Sequence, residues 1–95
     1  MIRRIKNLFD VGKCVGTPGA VNAMRAAGQE AKVFLDRHIT GDWGDVSEHD
    51  ARVNEDSLIT GDSIHSVYHT SAGVKLIVIT EPDRSSTCIM LPEEN

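Results

Sequence analysis

Val74-Lys75-Leu76-Ile77-Val78-Ile79-Thr80 carries four consecutive aliphatic residues at its centre. In an extended chain, successive side chains point to opposite faces. This segment is therefore apolar on both faces, and it reads as an interior strand of a sheet. Ser71-Ala72-Gly73 precedes it and has hairpin-turn composition. Before that turn, Ser63 to Thr70 alternates, with Ile64 and Tyr68 on one face and Val67 on the other. Glu81-Pro82-Asp83-Arg84 follows and reads as a β-turn with proline at its second position. Thr87 to Leu91 supplies another strand, which Pro92 closes. The C-terminal half is thus an antiparallel meander.

Upstream the apolar period lengthens to that of helices. Thr17-Pro18 is a cap followed by a first-turn proline, and Val21, Met24 and Ala27 form a stripe that ends at Gly28. From about Glu30, the residues Ala31, Phe34, Leu35, His38 and Ile39 share one helical face. The phrase Ile-Thr-Gly-Asp closes this helix at residues 39–42 and recurs at 59–62, each time as a helix exit through glycine. Between the two exits, Ser47 and Asp50 form a capping box with Val46 and Ala51 as staple. The stripe of this third helix is Ala51, Asn54, Glu55 and Leu58, so polar residues sit on or beside the side that faces the core. Val11 to Val15 is a short strand that joins a sheet edge. Ile2, Ile5 and Phe9 suggest a short basic helix over residues 1–10, and residues 93–95 read as a loose tail. The expectation is one α+β domain over residues 1–95, with helices on one face of a three- to four-stranded antiparallel sheet.

The 95 residues carry a net charge of −4, unevenly spread. Residues 1–40 hold seven basic and three acidic groups, a balance of +4; residues 41–95 hold three basic and eleven acidic groups, a balance of −8. One negative face follows, which argues against the clustered Lys and Arg of a nucleic-acid binder. No run approaches the roughly 18 apolar residues of a membrane span. No apolar run of about 7–15 residues follows the basic start, so it does not read as a secretory signal. Cys14 and Cys88 lack metal-type spacing and read as free thiols of a reduced, cytoplasmic protein.

Three groups of residues invite a chemical reading. Asp42, Asp45 and His49, with Asp50 beside them, are ligands of the kind that suit Mg²⁺, Mn²⁺ or Ca²⁺. Their spacing is not a calcium-loop spacing, and turns and helix starts also attract such acids. No cofactor is expected. His38 lies on an apolar stripe, the place of a hydrogen-bonded core histidine; in an enzyme it would join Asp42, Glu81 and Arg84. Glu81 or Asp83 would then be the base and Arg84 the partner of an oxyanion or phosphate. The structural alternative forks Arg84 onto Glu81 or Asp50. His65 and His69 lie roughly 13 Å apart in a strand, at about 3.3 Å per residue, and cannot hold one ion together. Asn54 needs partners for its amide, from a loop, a sheet edge or a substrate. Trp43 either plugs the helices onto the sheet or anchors a partner, and with Tyr68 it would line a small-ligand pocket. Gly16-Thr17-Pro18-Gly19 lacks the lysine and spacing of a phosphate loop.

Several phrases together resemble a known family. They are Val15-Gly16-Thr17-Pro18-Gly19-Ala20, Phe34-Leu35-Asp36-Arg37-His38 and Gly41-Asp42-Trp43-Gly44-Asp45, then Asp50 and Asn54. Ser66-Val67-Tyr68, Gly73-Val74-Lys75-Leu76, Ile79-Thr80-Glu81-Pro82-Asp83-Arg84-Ser85-Ser86-Thr87 and Leu91-Pro92-Glu93-Glu94 complete the pattern. This pattern is similar to that of small bacterial proteins carried on plasmids, integrative elements and phages, described as plasmid-related. The resemblance implies a mobile-element accessory protein and carries over no catalytic residues. The expected function is that of a small acidic interaction protein acting on a host defence or DNA-processing complex. Its surface would include Asp42, Trp43, Asp45, Asp50, Asn54, Tyr68, Asp83 and Arg84. A metal-assisted hydrolase or nuclease and a small-ligand module are the alternatives.

Overall fold

The computed structural model describes residues 6–94. Its elements, in chain order, are β1 (Lys13–Gly16), α1 (Pro18–Ala26), α2 (Ala31–Ile39), α3 (Glu48–Thr60), β2 (Ile64–His69), β3 (Lys75–Thr80) and β4 (Ser86–Met90), closed by a 3-10 turn at Pro92–Glu94. The molecule is an α+β domain on a four-stranded sheet of order β1-β4-β3-β2. The meander β2-β3-β4 is antiparallel, with Val67 opposite Ile77 and Val78 opposite Ile89.

The sheet is mixed, not purely antiparallel, because β1 lies parallel to β4 with Val15 opposite Cys88. The reason is local. The chain leaves β1 straight into α1, and the Thr17 N–H donates to the Ile89 carbonyl at 3.0 Å. That bond continues the parallel ladder and sets the start of α1 over the sheet. Thr17 then caps α1 by accepting from the Ala20 N–H, with Pro18 in the first turn.

Burial alternates strictly along β2 and β3. Ile64, Ser66 and Tyr68 face inward from β2, and Leu76, Val78 and Thr80 from β3. Tyr68, Leu76 and Val78 meet Ala20 and Met24 of α1 and Phe34 of α2 in one core cluster, joined by Ile89 of β4. β3 is interior, as its sequence indicates, but Ile77 and Ile79 on its second face are only half-buried. The helices α1 and α2 pack on the inner side. α3 runs beside β2, where the Asn54 amide accepts from the His65 N–H at 3.0 Å and donates to the His65 carbonyl at 2.7 Å. A helical side chain thereby replaces a missing strand partner, which explains a buried asparagine on this stripe.

The two ends of the chain read differently in the structure. Residues 1–5 of the expected N-terminal helix lie outside the described residues, and Lys6–Asp10 run without helical structure. The C-terminal segment is tied down as far as Glu94. Its carboxylate accepts from the Thr17 hydroxyl, the Gly19 N–H at 3.2 Å and the Leu91 N–H at 2.9 Å. The Thr17 hydroxyl and the two N–H groups hold the Glu94 carboxyl below its ordinary pKa.

Candidate functional site

The segment Gly41–Asp45 joins α2 to α3 by running along the outer edge of β2. Val67 N–H donates to the Trp43 carbonyl at 3.1 Å, and Asp45 N–H donates to the Val67 carbonyl at 2.7 Å. The segment thus pairs with an edge that would otherwise expose unpaired backbone. Gly44 makes the approach feasible. Its φ is +73°, and a Cβ there would sit 2.0 Å from the Val67 carbonyl oxygen.

Each side chain of this segment has a partner. Asp42 accepts from Arg37 Nε at 2.7 Å and Nη2 at 3.2 Å, and from the Gly44 N–H at 3.1 Å. Burial works against ionisation of Asp42, but the Arg37 and Gly44 donors outweigh it and the carboxyl titrates below its ordinary value. Arg37 in turn lies over the Tyr68 ring, 4.5 Å from its centroid, and the Tyr68 hydroxyl donates to the Asp42 carbonyl at 2.6 Å. Trp43 is fully buried; its indole N–H donates to Glu55 at 3.0 Å, and its ring stacks on Phe9 at 6.3 Å. Asp45 pairs with His69 at 2.7 Å. The segment is therefore a structural clasp, with Trp43 as plug.

His38 heads a buried polar chain. Its Nδ1 lies 2.6 Å from Ser66 Oγ, its Nε2 lies 2.8 Å from Thr80 Oγ1, and Thr80 lies 2.7 Å from Thr87 Oγ1. Thr87 donates its single hydroxyl proton to the Val11 carbonyl at 2.8 Å. Thr87 must therefore accept from Thr80, and Thr80 must accept from His38. Nε2 carries the imidazole proton, and the Nδ1 lone pair is filled by the Ser66 hydroxyl. Burial, helped by the charges of His65 and Arg84, lowers the His38 pKa to about 3. The ring is thus neutral, fully partnered and shielded from solvent, which gives a general base neither a free lone pair nor access.

Arg84 also ends on the fold itself. Its Nη1 donates to the carbonyls of Asp62 at 2.7 Å and Glu81 at 3.2 Å, and its Nη2 donates to the Ser57 carbonyl at 3.0 Å. The guanidinium thus ties the C-terminal end of α3, the negative end of its dipole, to the turn after β3. It uses backbone oxygens and neither the Glu81 carboxylate nor Asp50. Glu81 and Asp83 are exposed in the turn, and Asp83 accepts from the Ser85 N–H at 3.0 Å.

The expected catalytic set therefore does not surround a common void. One cavity, of about 390 Å³, lies between α1 and α2 and is lined by Val21, Met24, Arg25, Gln29 and Ala31 among others. A second, of about 240 Å³, is lined by Asp50, Val53, Asn54 and His65. Of the residues singled out by sequence, only Asp50, Asn54 and His65 border either one, and the amide of Asn54 is already engaged. Trp43 and Tyr68 have no exposed surface to offer a ligand. Among the described residues no three His, Cys, Asp or Glu side chains are grouped to hold a metal ion, so Asp42, Asp45 and His49 do not form a coordination set. No helix among them is long and apolar enough to cross a membrane.

The outer side of α3 is what the structure leaves available. Glu48, Asp50 and Asp56 are exposed and make no ion pair among the described residues. The same helix exposes Arg52, one turn from both Glu48 and Asp56, and two aliphatic residues that the sequence reading passed over, Val53 at 44% and Ile59 at 88% exposure. The signal was present in the sequence, since neither residue belongs to the stripe of α3. Comparison with protein-family models, curated proteins and solved structures returns no match.

Proposed function

We propose that this chain is an accessory interaction protein of a mobile element that acts in the host cytoplasm. In this reading it docks on a basic protein surface through the outer side of α3. The observation that carries the reading is Ile59, 88% exposed on a helix whose other outward residues include Glu48, Asp50 and Asp56. An aliphatic residue held in water beside unpaired carboxylates fits an anchor within an acidic rim. Acidic groups give steering toward a basic partner and salt sensitivity. The mobile-element context comes from the sequence resemblance, and the host target would be a protein of a defence or DNA-processing complex. The engagement of His38, Asp42 and Arg84 within the fold supports binding over hydrolysis.

The test is affinity capture from host lysate at low and moderate salt, with the variant Glu48→Gln, Asp56→Asn, Ile59→Ser as control. A stoichiometric partner, weakened by salt and absent with the variant, is the expected result. Equal capture by the folded variant would remove α3 as the docking element. A blank with both proteins would favour the ligand-module alternative, tested next by thermal shift with small molecules at the cavity between α1 and α2.

A further inference from the structure

The second face of the sheet, on the side away from α1 and α2, carries a central apolar band between polar ends. Alternation places Val67 on β2, Ile77 and Ile79 on β3, and Cys88 and Met90 on β4 on this side, opposite the buried set. Strand register orders them into two rows. Val67, Ile77 and Met90 form one, and His65, Ile79, Cys88 and Val15 form the other. Val15 is 43% exposed, and the remaining aliphatic residues here are half-buried.

The charges at the ends of this face specify an occupant. Along β3 the outward positions run Lys75, Ile77, Ile79 and then Glu81 just beyond the strand, a cation and an anion with two isoleucines between. Both charged residues are exposed, and neither has an ion-pair partner among the described residues. Such a pattern is complementary to itself when reversed. We infer that this face is the contact for a second copy of the chain, in a two-fold dimer whose β3 strands run antiparallel across the interface. In that arrangement each Lys75 lies over the partner's Glu81. Each Ile77 lies over the partner's Ile79, and each Met90 over the partner's Cys88. The alternative two-fold would set Lys75 on Lys75 and Glu81 on Glu81, so like-charge repulsion selects the antiparallel form. A two-fold contact uses the same patch twice, which is what a self-complementary strand supplies.

Size sets the strength. The 21 strand residues, about 3.3 Å each along strands about 4.8 Å apart, give a face of roughly 330 Å² in projection. Two such faces make a contact smaller than a standard stable interface, so the dimer is weak and dissociates on dilution. The product is a sandwich of two four-stranded sheets with α1 and α2 outside.

Sedimentation velocity on the whole chain across a dilution series tests this. The expected result is a species of twice the 10.4 kDa monomer mass that dissociates on dilution. Ile79→Glu should leave a folded monomer. Lys75→Glu alone and Glu81→Lys alone should each weaken the dimer about tenfold, because each sets like charges face to face. The double variant Lys75→Glu, Glu81→Lys should restore it. Circular dichroism on every variant separates lost association from lost folding. A monomer at all concentrations up to the millimolar range would overturn the inference. So would a dimer indifferent to Ile79→Glu, or one that the double charge swap fails to rescue.

Discussion

At His38 the fold holds a titratable ring where water does not reach. The unfolded chain takes up a proton on this histidine near its ordinary value of 6.5, and the folded chain only near 3. Between those values the unfolded state binds more protons, so stability is full above pH 6.5 and falls as the pH drops toward 3. The expected slope is about 1.4 kcal/mol per pH unit from this site. Urea titrations at pH 7, 6, 5 and 4 should show it, superimposed on the carboxylates. His38→Gln keeps a donor and an acceptor without a titrating group, and should flatten the difference. A second residue-scale contrast lies between two glycines. Gly44→Ala meets the Val67 carbonyl and should lose about 3 kcal/mol or more. Gly61 has a φ of +82° with nothing within 4 Å of an added Cβ. Gly61→Ala should therefore lose only the left-handed penalty of about 1–2 kcal/mol. Denaturant midpoints of the two variants should separate clearly.

At the scale of elements, α3 is held by polar devices more than by apolar burial. Its buried residues are Asn54 and Ser57. Ser47 caps its first turn by accepting from the Asp50 N–H at 3.1 Å. Asn54 ties its middle to β2, and Arg84 and Gly61 close its end. Arg84 itself adopts φ +61°, a left-handed conformation unfavourable for a side-chain-bearing residue, and its three carbonyl bonds offset that strain. Arg84→Lys keeps the charge and loses the planar fork. It should destabilise by about 1–3 kcal/mol. Amide exchange should speed up first around residues 57–62 while the β3 core stays protected. Uniform acceleration across the sheet would show that Arg84 holds more than this helix end.

At the scale of the whole molecule, the described residues are tied down at Val11 and at Glu94. Thr87 accepts the start of the fold by donating to Val11, and Glu94 returns the end of the chain to the first turn of α1. Removing residues 92–95 deletes the Glu94 contacts but leaves the Ile89 carbonyl bonded to Thr17. The loss should be small, since the site is exposed, and should show as a Tm decrease of a few degrees. A cooperative thermal transition at that lower temperature is the expected trace.

The sequence by itself determined the elements and their order. Period-two alternation from Ile64 to Thr80 and three-four spacing from Ala31 to Ile39 are properties of neighbouring residues, and local chain geometry converts them directly into faces. The caps at Thr17 and Ser47 and the exit at Gly61 were legible for the same reason, because each bond spans three or four residues. Only the tertiary structure decided the parallel placement of β1, since the partner of Val15 lies 73 positions away at Cys88. It alone directed Arg84 to carbonyls of Ser57 and Asp62, and His38 to hydroxyls on β2 and β3. The acids and histidines that suggested chemistry have side chains whose composition is equally suited to clasping a fold. Their use depends on which groups arrive within about 3 Å, and contacts between distant segments of the chain set that distance.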